Sequence, residues 1–221
     1  MTGKKYPIKT IGVYCLIFYT FWAVYELYGS SAIENMLGNE WISQIVKSGI
    51  IKNLVWTLPA WLLARHYQPV MYVKAKEMFR SKLHWQKYLP IYAAFVVYLG
   101  VGDLIINGSV AINPEFNATQ LITVLFVGIT EEMVFRGWLL NATITEKRKW
   151  IAILINAIMF LLIHFPRWFY DGSFITSFTS LGFISILALS VIFSWTFIKS
   201  KNLLVPITLH MLWDLLTFLL Y

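Results

Sequence analysis

Three charged side chains interrupt an apolar stretch in the middle of the chain. Glu131, Glu132 and Arg136 lie in the run Gly128-Ile-Thr-Glu-Glu-Met-Val-Phe-Arg-Gly137, which is otherwise hydrophobic enough to cross a bilayer. A charge near the bilayer centre costs about 2.5 to 3.5 kcal/mol, so such groups usually face a protein interior or a wet cavity. The sequence therefore predicts an intramembrane polar site.

Two later apolar stretches carry ionisable groups that would share this site. His164 lies four residues after Phe160, and His210 lies four residues before Asp214. Carboxylates and imidazoles are the groups that most often move protons in enzymes. We therefore expect the two histidines and the carboxylates to meet in one layer of the membrane.

Spacing within each helix suggests a role for each group. Glu132 and Arg136 are four residues apart with the acid first, which favours an ion pair. Glu131 lies about 100° further round the helix and stays free to act as a general base. Asp214, one turn after His210, would orient that imidazole. Other roles remain open for these groups. The Glu132 and Arg136 pair could simply tie helices together, and His164 could form an interhelical hydrogen bond. His210 and Asp214 could form the proton relay of a transporter.

The composition is that of an integral membrane protein. Of 221 residues, 58% are hydrophobic and 13% are charged, against about 25% charged in soluble domains. An all-α, polytopic transmembrane bundle of about seven spans, within a range of six to eight, is predicted, since a span needs roughly 20 apolar residues. The stretches are Ile8 to Tyr28, Gly49 to Tyr67, Tyr88 to Ile106, Ala118 to Ala142, Trp150 to Phe165, Phe174 to Ile198 and Leu203 to Tyr221.

Basic residues sit in every second connection between these stretches, which is the positive-inside pattern. The basic groups are Lys4, Lys5 and Lys9, the run from Arg65 to Lys87, Lys147 to Lys149, and Lys199 with Lys201. The pattern predicts a cytoplasmic N-terminus, in what we expect to be a bacterial plasma membrane. Topology and anionic membrane lipid account for the net charge of +7, so no nucleic-acid partner is expected. At 1.5 Å per residue from the cytoplasmic ends, Glu131, His164 and His210 lie about 16, 21 and 10 Å deep.

We expect one membrane domain over residues 1–221, with a retained first helix rather than a cleaved signal peptide. The single Cys15 excludes an intrachain disulfide. Residues 68–87 alternate basic and apolar side chains, which is typical either of an amphipathic surface helix or of a solvated basic loop. Residues 30–48 predict a second interfacial helix on the opposite side.

The three motifs resemble those of a known family. Glu131-Glu132-x-x-x-Arg136, Phe160-x-x-x-His164 and His210-x-x-x-Asp214 occur in that order, each in a predicted span. They are similar to the signature of the CPBP family of CAAX proteases and bacteriocin-processing enzymes, also called the Abi family, over residues 118–221. The resemblance implies an intramembrane endopeptidase like the type II CAAX prenyl endopeptidase.

The resemblance also implies roles for the matching residues. Glu131 and His164 would activate the attacking water, with Glu132, Arg136 and Phe160 in support. His210 and the residue at position 214 would stabilise the oxyanion. CAAX proteases of eukaryotes and archaea carry Asn at this last position, and an ionised Asp214 cannot donate a hydrogen bond as an Asn amide does. We therefore expect Asp214 to orient His210 rather than to contact substrate.

Two mechanisms are open for this signature. His164 and His210 with Glu131 or Asp214 would supply a Zn²⁺ site with an open position, but no His-Glu-x-x-His motif preassembles such a site on one helix. The metal-free, glutamate-based mechanism is favoured, with no cofactor, in a cavity open toward the cytoplasm. Substrates would be peptides that are membrane-associated, prenylated or leader-bearing. The alternatives are a non-catalytic bacteriocin-immunity or regulatory protein and, third, a proton-coupled transporter.

Overall fold

The computed structural model describes residues 7–221, and its secondary structure is all-helical, with a helix content of 78% and no strand in that range. The all-α prediction is therefore confirmed. Lys4 and Lys5, which belong to the predicted basic N-terminal group, lie outside the described residues.

The chain forms long helices joined by short connections. In chain order they are α1 (Ile8–Leu37), α2 (40–66), α3 (Leu89–Asn107), α4 (120–143), α5 (Lys149–Leu162), α6 (Phe165–Tyr170), α7 (Phe174–Thr179), α8 (Gly182–Ser200) and α9 (Leu204–Leu220). Parts of α1, α2 and α4 are π-helical, and in α4 this wider segment is Met133–Leu140, directly after the paired glutamates. A π-helical turn inside an α-helix often accompanies a functional site.

Among residues 7–221, four helical segments are long and apolar enough to cross a membrane: α1, α3, α8 and the segment Lys149–Tyr170 that joins α5 and α6. The chain is therefore an integral membrane protein. Each of the seven predicted stretches contains a long helix, but α2 and α4 carry charges at membrane depth and α9 has 17 residues. A total of about seven spans remains a prediction.

The predicted interfacial helix over residues 30–48 is wrong, because this segment is divided between α1 and α2. Gly38 adopts the left-handed conformation at φ 60° and ends α1, a conformation that glycine reaches without steric cost. The Asn39 side chain then accepts a hydrogen bond from the Ile42 N–H at 3.1 Å and caps α2. These two residues form a tight turn between the helices.

The amphipathic helix predicted over residues 68–87 is also wrong. Only the short turns Glu77–Phe79 and Trp85–Lys87 are helical there. The Val73 N–H donates to the Asn141 side chain at 2.7 Å, and the Asn141 amide donates to the Val73 carbonyl at 2.9 Å. A side chain that satisfies both backbone groups competes with a helix. Nor is the segment simply a solvated loop, since four of its apolar side chains are buried: Met71, Val73, Ala75 and Met78.

The predicted stretch from Phe174 to Ile198 is split into α7 and α8. The break lies at Leu181, whose φ is 63°. Thr179, Ser180 and Gly182 surround it, and all three are poorer helix formers than the aliphatic residues that follow. The span predicted here therefore begins at Gly182.

Helix α4 lies at the centre of the bundle. Every residue from Thr130 to Ala142 is buried, including both glutamates and Arg136. Helices α2, α5, α8 and α9 pack around it. This arrangement encloses Glu132 and Arg136 in protein and places the partners of the predicted site against α4.

Candidate active site

A close approach between α4 and α9 brings the first and third motifs together. Gly128 makes it feasible, because a Cβ at this position would lie 2.8 Å from the Met211 side chain and 3.2 Å from the Ile207 carbonyl oxygen. Any larger residue would push the helices apart. The contact lies one turn before Glu131 on α4 and beside His210 on α9, so the two polar groups meet across the interface.

The predicted ion pair between Glu132 and Arg136 is present. Their side chains are fully buried, and the Arg136 guanidinium donates to Glu132 Oε1 at 2.8 Å. The guanidinium also donates to the Ser190 carbonyl and hydroxyl at 3.1 and 2.8 Å, which the sequence did not reveal. It lies over the rings of Phe160 and Phe193, 4.6 and 5.3 Å from their centroids, an arrangement that stabilises a cation. Arg136 thus joins α4 to α5 and α8.

Glu132 is the closest partner of His210, and Asp214 lies beside the same ring, as expected from the helical spacing. His210 Nδ1 donates to Glu132 Oε1 at 2.9 Å. Its Nε2 atom lies 3.5 Å from Asp214 Oδ2 and 3.8 Å from Glu131 Oε2. Phe193 stacks on the imidazole at 5.0 Å. Glu132 therefore fixes the ring and aims Nε2 at the gap between the other two carboxylates.

His164 is fixed by its own helix. The residue is half-buried, and its Nδ1 donates to the Phe160 carbonyl at 3.0 Å, since a carbonyl oxygen can only accept. In the neutral ring this leaves Nε2 as a hydrogen-bond acceptor. The Phe160 ring meets both imidazoles edge-on, with centroids 5.4 Å from His164 and 5.9 Å from His210. Phe160 therefore separates and positions the two histidines.

A cavity of about 740 Å³ adjoins these groups. Glu131, His164 and Asp214 line its wall, whereas Glu132, Arg136 and His210 lie behind it. The Asp214 side chain is 23% exposed against 7% for His210. Asp214 is thus the more accessible of the two. The rest of the lining combines polar side chains with apolar ones such as Trp22, Ile163, Trp168, Trp213 and Phe218.

The cavity reaches one end of the bundle, which we call the mouth end. Its lining includes Ser30 near the end of α1, Gln44 near the start of α2, Gln120 at the start of α4 and Thr217 near the end of α9. The basic connections lie at the opposite ends of these helices. A cavity open toward the cytoplasm is therefore incompatible with the predicted topology, which places the mouth end outside.

The donor set does not fit the metal alternative. Within residues 7–221 no three His, Cys, Asp or Glu side chains are arranged to hold one ion. His164 and His210 each commit Nδ1 to an internal hydrogen bond, so only Nε2 of each ring could ligate. Asp214 and Glu131 lie 3.5 and 3.8 Å from His210 Nε2, and these groups do not converge on one point. We derive no step through a metal.

The fold and the site together define a class of protein: a helical membrane protein in which Glu, His and Asp side chains from three helices adjoin one cavity. Residues 113–216 match the family model described as type II CAAX prenyl endopeptidase, Rce1-like. This segment, just under half of the chain, is similar to that family, and the resemblance predicted from the three motifs, all within it, is confirmed. The family is one of proteases, which supports a peptidase activity. No curated protein and no solved structure matched the chain.

Proposed function

We propose that the protein is an intramembrane endopeptidase that hydrolyses a peptide bond of a lipidated or membrane-associated substrate. The observation that carries this proposal is the presence of Glu131 and His164 on one cavity wall, backed by a fully buried Glu132, Arg136 and His210 network. The aromatic and aliphatic part of the lining suits a hydrophobic or prenylated peptide, and the cavity volume suits a short segment.

The reaction requires only water and these side chains. Glu131 takes a proton from a water that also donates a hydrogen bond to His164 Nε2, and the water oxygen bonds to the substrate carbonyl carbon. His210, whose Nε2 faces the cavity side of the network, donates to the developing oxyanion when that nitrogen carries a proton. Collapse breaks the carbon–nitrogen bond, and Glu131 passes its proton to the departing amine. Asp214 orients His210 from the cavity wall.

Cleavage is expected to be independent of added metal. Purified protein in detergent would be incubated with a farnesylated CAAX peptide and with leader-peptide precursors, with and without a strong chelator, and the products measured by mass spectrometry. Because the proposed steps use side chains and water, the rates should agree within about twofold. A loss of tenfold or more that Zn²⁺ restores would contradict the glutamate-based mechanism.

Substrate is expected to enter from the non-cytoplasmic side. In a Cys15→Ala background, Glu115→Cys lies in the connection at the mouth end and Lys147→Cys in a basic connection, and both side chains are exposed. A membrane-impermeant maleimide should label Glu115→Cys in intact cells and Lys147→Cys only after the membrane is disrupted. The opposite labelling would place the cavity mouth in the cytoplasm.

A further inference from the structure

Lys52 is a charged residue at membrane depth that the three motifs do not include. It lies on α2 between the two segments, Ile45–Ile51 and Asn53–Thr57, that pack against α4, and it lines the cavity. Glu40 and Thr119, which are hydrogen-bonded at 2.7 Å, mark the adjacent starts of α2 and α4. Counting 1.5 Å per residue from there, Lys52 and Glu131 both lie roughly 17 Å deep. Lys52 therefore shares the layer of the candidate catalytic groups.

The close packing of α2 on α4 holds Lys52 at this position. A Cβ at Gly49 would lie 3.1 Å from the Phe126 ring, so the absence of a side chain at this position lets the helices approach. From α2, the Lys52 ammonium reaches over the faces of Trp22 and Trp56, with distances of 4.7 and 5.7 Å to the ring centroids. Both aromatic faces stabilise a cation at this site.

The other cations of the cavity have carboxylate partners. Lys47 forms an ion pair with Glu34, and Arg167 lies 2.8 Å from Asp171. For Lys52, no carboxylate oxygen lies within 4.0 Å among residues 7–221. The acids that share its cavity are Glu26, Glu131 and Asp214. Lys52 thus presents to the cavity an ammonium that forms no ion pair within residues 7–221.

Lys52 is one of only four basic residues outside the basic connections, together with Lys47, Arg136 and Arg167. Arg136 is buried in the polar network, and the other three line the cavity. A lysine at this depth is costly in lipid, and facing the cavity with two aromatic rings beside it lowers that cost. An anionic group bound in the cavity would stabilise the ammonium further.

We propose that Lys52 binds a carboxylate of the peptide substrate and so sets which peptide bond reaches Glu131. The inference rests on the proposed function, because it names the chemistry of that substrate. A free C-terminus and an Asp or Glu side chain are the two sources of such a group. Lys52 lies outside residues 113–216, so this recognition belongs to the part of the chain beyond the matched segment.

The test measures binding separately from hydrolysis, in a Glu131→Gln background. The probes are three fluorescent farnesylated peptides of one sequence: the free acid, its C-terminal amide, and the acid with its internal Asp changed to Asn. Fluorescence anisotropy should give a Kd at least about tenfold lower for the acid form that Lys52 recognises. Loss of affinity in the amide assigns the C-terminus, and loss in the Asn peptide assigns the side chain.

Variants then attribute the preference to Lys52. Lys52→Met should bring the Kd ratio to about 1, and Lys52→Arg should retain the preference because the cation is kept. Lys47→Met, which removes a paired cation from the same cavity, should also retain it. Equal binding of all three peptides, or a preference that survives Lys52→Met, would overturn the inference. Failure of the proposed function would appear elsewhere, as absence of hydrolysis by the unmodified protein.

Discussion

Replacing Glu131 with Gln is expected to lower the rate of peptide hydrolysis by about 100- to 10,000-fold while the protein remains folded. The amide keeps the shape of the side chain but cannot take a proton from water, and general base catalysis contributes a factor of this size. The carboxylate lies on the cavity wall and has no ion pair with Arg136, so its loss leaves the buried network intact. Rates on the farnesylated peptide and thermal unfolding in detergent would be measured together.

Glu115→Gln is the matched control for this change. Glu115 is an exposed acid in the connection between α3 and α4, and the contact it makes there, with Asn113, uses its backbone N–H. We expect the control to hydrolyse the peptide at the unmodified rate. A Glu131→Gln variant that retains more than about half of the activity would remove Glu131 from the mechanism.

Replacing Arg136 with Met should destabilise the protein by about 3 to 5 kcal/mol, the cost of leaving a buried charge without its partner. Glu132 would then lose its cationic partner in a fully buried site, and Ser190 would lose two hydrogen bonds. Activity should fall as well, since Glu132 also holds His210. The measurements are purification yield, thermal unfolding in detergent, and hydrolysis at a temperature where the variant is folded.

Arg167→Met is the matched control for stability. Arg167 also pairs with an acid four residues away, Asp171, at the same 2.8 Å, but its side chain is 54% exposed. An exposed pair contributes about 1 kcal/mol or less. We expect Arg136→Met to lower the unfolding temperature more than Arg167→Met does. Equal unfolding temperatures would show that burial of the Glu132 and Arg136 pair does not increase its contribution to stability.

Contacts within one helix could be predicted from the sequence. The Glu132 and Arg136 pair follows from helical spacing alone, as does the proximity of His210 and Asp214. Contacts between helices could not, because they depend on how the helices pack. Glu132 and His210 are 78 positions apart, and Ser190 is 54 positions from Arg136. For the same reason the sequence did not reveal which of the candidate residues would face the cavity.

Predictions from local sequence patterns also failed where contacts with distant residues determine the backbone conformation. The basic and apolar alternation of residues 68–87 is compatible with a helix, but Asn141 satisfies the backbone of Val73 instead. The predicted cytoplasmic opening of the cavity conflicts with the predicted topology, because charge patterns orient the helices without revealing the space between their ends. Lys52 could be singled out from the sequence, because it is a charge within an apolar stretch. Its contact with Trp22 could not be predicted, because Trp22 belongs to another helix.

The burial of α4 has a further consequence for the membrane itself. Every residue from Met133 to Ala142 is buried, so the C-terminal half of α4 is a packed segment. It lies between the cavity and the end of the bundle that carries the basic connections. Water that enters from the mouth end can reach Glu131, whereas the side chains from Met133 to Ala142 are packed, and interiors at protein density leave little room for water. The protein can therefore hold water beside Glu131 without a water-filled path along the buried part of α4.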